Sequence, residues 1–211
     1  MPLRDFEDRV AVVTGAASGI GRELALQLAT EGCVLALADR DGAGLAETAA
    51  MVRGQGGRVE TYEVDVANED AMRRFAEAVQ ADLGDASLLI NNAGVTVTGD
   101  FGSQEIEDFR WCLDINFWGV VYGCKFFVPQ LERAGGGCIV NLSSLFGLIG
   151  VPLQTSYCAS KFAVRGFSES LGAELVRANI DVVSVHPGGI STGIMRNARP
   201  CGKTANRIHH K

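Results

Sequence analysis

Tyr157 and Lys161 stand four residues apart in the stretch Tyr157-Cys158-Ala159-Ser160-Lys161. On a helix that spacing puts both on one face, one turn from each other. A phenol titrates near ~10, so at neutral pH only about one molecule in a thousand is the phenolate. A fixed ammonium close to the ring favours the charged form and draws the titration toward the working pH. Such a phenol can give or take a proton at a substrate oxygen. Alone, the pair does not decide for chemistry, because many solvated helix faces carry Tyr and Lys at this distance.

A second group of residues has the types and spacing to hold a dinucleotide. Thr14-Gly15-Ala16-Ala17-Ser18-Gly19-Ile20-Gly21 lies between a strand pattern and a helix pattern. There glycines let the backbone turn tightly and approach a pyrophosphate, which the helix-start amides then hold. The same turn could be only a tight connection, although strand-turn-helix is the context that the fingerprint requires. No Gly-Lys-Ser/Thr ending follows, so a phosphate loop for nucleotide hydrolysis is excluded. Asp39 stands 18 residues beyond Gly21, where a carboxylate can accept both ribose hydroxyls and repel a 2′-phosphate. That favours NAD over NADP, with the adjacent Arg40 leaving NADP as the lesser alternative. Asp65-Val66 and Asn91-Asn92-Ala93-Gly94 close two further strand patterns. In an open sheet, ligands gather outside the carboxyl ends of the strands, and all these groups fall there.

Other functions are disfavoured by composition. The chain has 211 residues, 47% of them apolar, and a formal charge of −6 with pI near 5.1, which argues for one globular domain and against a nucleic-acid surface. Six cysteines stand far apart without Cys-x-x-Cys spacing, and His186, His209 and His210 form no ligand set, so no metal is expected. The start lacks the apolar region of a signal peptide, and no run approaches a membrane span. A cytoplasmic protein with reduced cysteines is the expectation.

The elements that must position these residues read as alternating strands and helices without internal repeats. Strands are expected at Val10–Val13, Val34–Ala38, Arg58–Val64, Ser87–Asn91, Cys138–Leu142 and Ile180–Val185. Helices are expected at Gly19–Glu31 and Gly42–Arg53, from Asn68 to about Asp82, and from Tyr157 to about Ala178. Asn68 should cap the third of these. One long helix is expected from about Gln104 to Arg133, bent near Gly119 and Pro129. Six strands, each followed by a crossover, make an α/β fold with a doubly wound parallel sheet flanked by helices.

The ordered motifs Thr-Gly-x-x-x-Gly-Ile-Gly, Asn-Asn-Ala-Gly, Asn116 in the long helix, Ser143-Ser144, Tyr-x-x-x-Lys and Pro187-Gly188 resemble those of the short-chain dehydrogenase/reductases, over roughly Arg9 to Thr192. The resemblance implies a single Rossmann-like catalytic domain over 1–192, and an enzyme that interconverts a secondary alcohol and a ketone by hydride transfer. It implies Tyr157 as general acid/base. Lys161 would bind the nicotinamide ribose and depress the Tyr157 pKa, Ser144 would bond the reacting oxygen, and the Asn116 main chain would hold a relay water. On the cofactor side it implies Gly15, Ser18, Gly19, Ile20 and Gly21 at the pyrophosphate, with Asp39 and Arg40 at the adenosine ribose. Asp65 and Val66 would sit at the adenine, Asn92, Ala93 and Gly94 under the ribose, and Pro187, Gly188, Ile190 and Thr192 over the nicotinamide.

The likeness ends early. Members continue into a covering segment, a helix and a seventh strand, whereas 193–211 reads as a polar, basic tail with no strand pattern, disorder being one reading of it. A shortened, catalytically impaired cofactor-binding or interaction protein is therefore the alternative. The resemblance also implies a homodimer through the long helix and the Tyr157 helix, whose Phe109, Trp111, Phe117, Trp118, Phe126, Phe127, Phe162, Phe167 and Leu171 are apolar. Leu145, Phe146, Leu148, Val151, Leu153 and Gln154 would line a pocket for a mostly apolar alcohol or carbonyl substrate.

Overall fold

A sheet of six parallel strands forms the centre of the molecule. The computed structural model describes residues 6–188 and 198–202. The six strands are β1 (Val10–Thr14), β2 (Val34–Asp39), β3 (Arg58–Glu63), β4 (Ala86–Asn91), β6 (Gly137–Leu142) and β7 (Ile180–Val185), side by side in the order β3-β2-β1-β4-β6-β7. The two inner runs Val-Ala-Val-Val-Thr and Ala-Ser-Leu-Leu-Ile-Asn are buried at every position, because helices cover both faces of a parallel sheet. Alternation then divides the side chains. Val12, Ala36, Leu89 and Ile139 face one apolar layer, while Ala11, Val13, Leu37 and Ile90 face the other.

Helices α1 (Gly19–Thr30) and α2 (Gly42–Gly54) cover the second layer through Ala25, Leu28, Leu45, Ala49 and Val52. On the first, α3 (Glu69–Leu83), α5 (Gly119–Arg133) and α6 (Thr155–Leu175) contribute Met72, Phe75, Val79, Phe127, Leu131 and Val164. Asn68 caps α3 as expected, its side chain accepting from Ala71 N at 2.9 Å. The chain runs outward from β1 to β3 and then returns to β4 on the other side of β1. That reversal opens a crevice at the carboxyl ends of β1 and β4.

The segment expected as one bent helix is divided. After a short 3₁₀ turn at Phe101–Ser103 come α4 (Ile106–Leu113), a π-helical turn at Asp114–Trp118, and α5; Pro129 lies inside α5 without ending it. The π turn has a visible cause in Asn116. Its Oδ1 accepts from Val95 N at 2.8 Å and its Nδ2 donates to Val95 O at 2.9 Å, which binds the turn to the chain leaving β4. Two three-residue strands were not expected. β5 (Val97–Gly99) pairs in parallel with β8 (Arg199–Cys201), apart from the main sheet. Arg199–Cys201 thus corrects the expectation that 193–211 holds no strand. Residues 193–197 and 203–211 lie outside the described residues, and no seventh strand joins the main sheet among the described ones.

The aromatic set on the helices also divides. Phe127 is fully buried in the core, Trp111 lines the crevice, and Phe117 packs edge-on against Phe167. Trp118, 45% exposed, stacks on Tyr122, which stacks on Phe126, and Phe162 is 42% exposed.

Candidate active site

A cleft of about 380 Å³ opens where the strand order reverses. At one end is the turn between β1 and α1. Gly15 has φ +68 and Gly19 φ +56, the left-handed conformation that glycine adopts without a Cβ penalty. A Cβ on Gly15 would also stand 2.8 Å from Ala93 Cα, because the β4 exit packs directly against this turn. Thr14 joins the two: its Oγ1 accepts from Asn92 N at 3.0 Å and Ala93 N at 3.1 Å. Asn92 Nδ2 donates to the carbonyls of Thr14 and Gly15. The space left by these glycines, with backbone N–H groups at the start of a helix, fits a pyrophosphate.

Asp39 ends β2 beside the turn, where Oδ2 accepts from Ala17 N at 3.0 Å and Oδ1 from Asp41 N at 3.1 Å. The carboxylate is therefore fixed in direction at the cleft wall. Ser18, Gly19, Ile20, Arg40, Asp65, Val66, Asn92, Ala93 and Gly94 line the same cleft, with Pro187 and Gly188 at the far end. Gly21 sits behind the wall, packed against the Gly15 carbonyl. Ile190 and Thr192 lie outside the described residues.

The other end carries Tyr157, Lys161 and Ser144. Lys161 is 3% exposed and donates from Nζ to Leu142 O at 2.7 Å. Burial pulls its pKa from 10.5 down to about 8. Its Nζ lies 5.7 Å from the centre of the Tyr157 ring. The expectation that Lys161 depresses the phenol is corrected here. Burial dominates and pushes Tyr157 above its ordinary value, the Ser144 hydroxyl working in the opposite direction. The two neighbouring serines now separate. Ser143 Oγ donates to Lys161 O at 2.9 Å and ties β6 to α6, whereas Ser144 faces the phenol. His186, the strand-end residue, donates from Nδ1 to Ser144 O at 3.1 Å.

Asn116 is fully buried and does not line the cleft. Besides holding Val95, its Nδ2 donates to Ser160 Oγ at 2.9 Å, and Ser160 Oγ donates to Tyr157 O at 2.8 Å. The side chain is thus spent on joining the π turn to α6, which leaves the main chain of that turn for any role toward Lys161. Gly94 lies between these groups, since a Cβ there would stand 3.3 Å from Asn116 Oδ1 and 3.5 Å from Lys161 Nζ. No group of three or more metal-binding side chains occurs among the described residues.

Residues 9–201 match the family model described as short chain dehydrogenase. The chain belongs to the short-chain dehydrogenase family. It is 47% identical over 198 residues to the oxidoreductase SadH of Mycobacterium tuberculosis, which covers 93% of this chain and 72% of SadH. A crystal structure of a short-chain dehydrogenase/reductase from Burkholderia phymatum in complex with NAD superposes with a TM-score of 0.89 at 35% identity, covering 92% of this chain and 70% of that one. A metagenomic short-chain oxidoreductase in complex with NADP gives a TM-score of 0.83 at 32% identity, covering 87% and 84%.

Within this short-chain dehydrogenase, three contributors are not legible as site residues in the sequence. Thr14 and Ser160 stand inside the motifs, and their polarity amid apolar neighbours was the available signal. Trp111 lines the cleft under the Arg199 guanidinium, 3.6 Å from the ring centre; nothing in its helical spacing distinguished it from the packing aromatics. None of the six residues expected to line a substrate pocket lines this cleft. Gln154 is buried and bonded to Thr96 and Thr98, Leu145 and Leu148 are exposed, and Phe146 meets the Tyr157 ring edge-on at 6.2 Å.

Proposed function

We propose that this oxidoreductase interconverts a secondary alcohol and its ketone, using NAD in preference to NADP. The observation that carries the reading is the convergence of Tyr157, Ser144 and Lys161 in the same cleft as the glycine turn and Asp39. Residues Gly15, Ser18, Gly19 and Ile20 would hold the pyrophosphate, Asp39 the adenosine ribose, and Lys161 the nicotinamide ribose. The dinucleotide, when bound, supplies or accepts the hydride. Tyr157 then gives a proton to the carbonyl oxygen in reduction, or takes the hydroxyl proton in oxidation, while Ser144 bonds the same oxygen. A phenol held up by burial suits the acid role, and Lys161, with a pKa of about 8, is poised to exchange a proton near neutral pH.

Residues 1–192 form the catalytic domain in this reading. An apolar substrate fits the exposed Leu145, Leu148 and Ile149 and the Phe146 edge near Tyr157. The exposed faces of Trp118 and Phe162 support a homodimer through α5 and α6. No helix among the described residues is long and apolar enough to cross a membrane.

The second reading is a cofactor-binding protein without turnover; the bond to Leu142 O uses one of the three Lys161 ammonium donors, which leaves two for a nicotinamide ribose in either reading. Measuring NADH binding together with turnover of a panel of ketones and secondary alcohols separates the two. Tight binding with no turnover of any panel member, in either direction, sinks the enzyme reading.

A further inference from the structure

Tyr157 lies in the first turn of α6, so its placement depends on how the chain approaches that helix. Gln154 precedes the helix, yet its side chain makes no cap bond. The carboxamide is turned away, toward β5. Thr96 Oγ1 donates to Gln154 Oε1 at 2.8 Å, and Gln154 Nε2 donates to Thr98 Oγ1 at 3.0 Å. All three side chains are buried. Backbone bonds flank them: Gly99 N donates to Leu153 O at 3.0 Å, and Cys158 N to Gln154 O at 2.8 Å. Leu153 itself has φ +68, a left-handed conformation unfavourable for a residue with a Cβ. Contacts to 96–99, rather than the loop's own preference, therefore hold this approach.

The same short segment is fixed at its other end, where Val95 binds both polar atoms of the Asn116 side chain. Residues 95–99 thus form a crossbar from the π turn to the first turn of α6. We propose that Gln154 is a positioning residue, whose carboxamide locks that crossbar to α6 and so sets the Tyr157 phenol against Ser144. The inference rests on Tyr157 being the acid/base. Gln154, Thr96 and Thr98 do not line the cleft, so the carboxamide acts on proton transfer and not on dinucleotide binding. Misplacing a reacting group by about 1 Å can cost about 100-fold in rate.

The phenol is faced by Lys161 and Cys158 from its own helix, Cys112 from α4 and Ser144 beyond β6. Its titration, followed through isotope-labelled tyrosine ring signals and assigned with Tyr157→Phe, reports placement without requiring turnover. For Gln154→Leu, NADH affinity should stay within about twofold of the parent while kcat falls roughly 10- to 100-fold. The phenol titration should move down toward its ordinary range as burial loosens. Thr98→Ser should keep the parent kcat, and Thr98→Val should lose it in the same sense as Gln154→Leu.

Parent-like kcat and phenol titration in Gln154→Leu overturn the proposal, as does a parallel loss of NADH affinity and kcat. Should Gln154→Leu not fold, Thr98→Val, which removes one bond at nearly constant volume, carries the same comparison. If the parent itself turns over no substrate, that failure counts against the enzyme reading. The phenol titration still supports the positioning role by moving, or overturns it by staying.

Discussion

Replacing Lys161 by Met would remove a buried ammonium while keeping most of the volume of its stem. In the folded chain Lys161 titrates at about 8, against 10.5 when exposed. Between those values the folded state binds fewer protons than the unfolded one, so stability must rise with pH across that window. The gap corresponds to about 3 kcal/mol. Below pH 8 the parent carries the full cost of a buried charge, offset in part by the bond to Leu142 O. Above it the cost is progressively relieved, and by pH 10.5 it is gone. Lys161→Met has no such group. Urea unfolding of both proteins at several pH values from 7 to 10.5 therefore should show the parent gaining about 3 kcal/mol on the variant. Titrating groups that do not interact with Lys161, such as Tyr62 and Cys124, are common to both proteins and cancel in the difference. A difference that stays flat, or moves against the parent as pH rises, refutes burial as the force that sets this lysine.

Three further outcomes are expected. Asp39→Ala should weaken NAD binding roughly 10- to 100-fold by loss of a charged acceptor, with a smaller effect on NADP; equal effects in calorimetry remove the cofactor assignment. Gly15→Ala meets both a φ of +68 and the Ala93 backbone at 2.8 Å, so it should cost about 1–3 kcal/mol in chemical unfolding and weaken NADH binding as well. Phe127→Ala, at a fully buried core position, should cost about 3–5 kcal/mol in the same assay, while a cost under about 1 kcal/mol would contradict the assigned core.

The inner strands were legible because they are short apolar runs buried on both faces, whereas the mostly exposed edge strand Arg58–Glu63 was legible through the glycine turn before it. β5 and β8 were not, since Val97–Gly99 and Arg199–Cys201 are three residues each and carry Gly99 and Pro200. Their pairing depends on partners far apart in the chain. The π turn was hidden for a similar reason: its cause is the contact of Asn116 with Val95, 21 positions away. Residue types and order placed the cleft, but the two serines after β6 could be told apart only by which atoms they meet. Spacing shows that a lysine is near Tyr157 but not how deeply both groups are buried, and burial sets the sign of the shift. Trp111 reads with its helix neighbours as part of an apolar dimer face, since helical periodicity does not reveal that the helix breaks just after it.

Tyr157→Phe in a pre-steady-state measurement of nicotinamide absorbance, on whichever ketone or alcohol the parent accepts, bears most directly on the central claim. The variant should bind NADH as the parent does and lose about 100-fold or more of the hydride-transfer rate, because the carbonyl oxygen has no proton source. Equal rates for parent and variant, at equal NADH affinity, would contradict Tyr157 as the acid/base of this site.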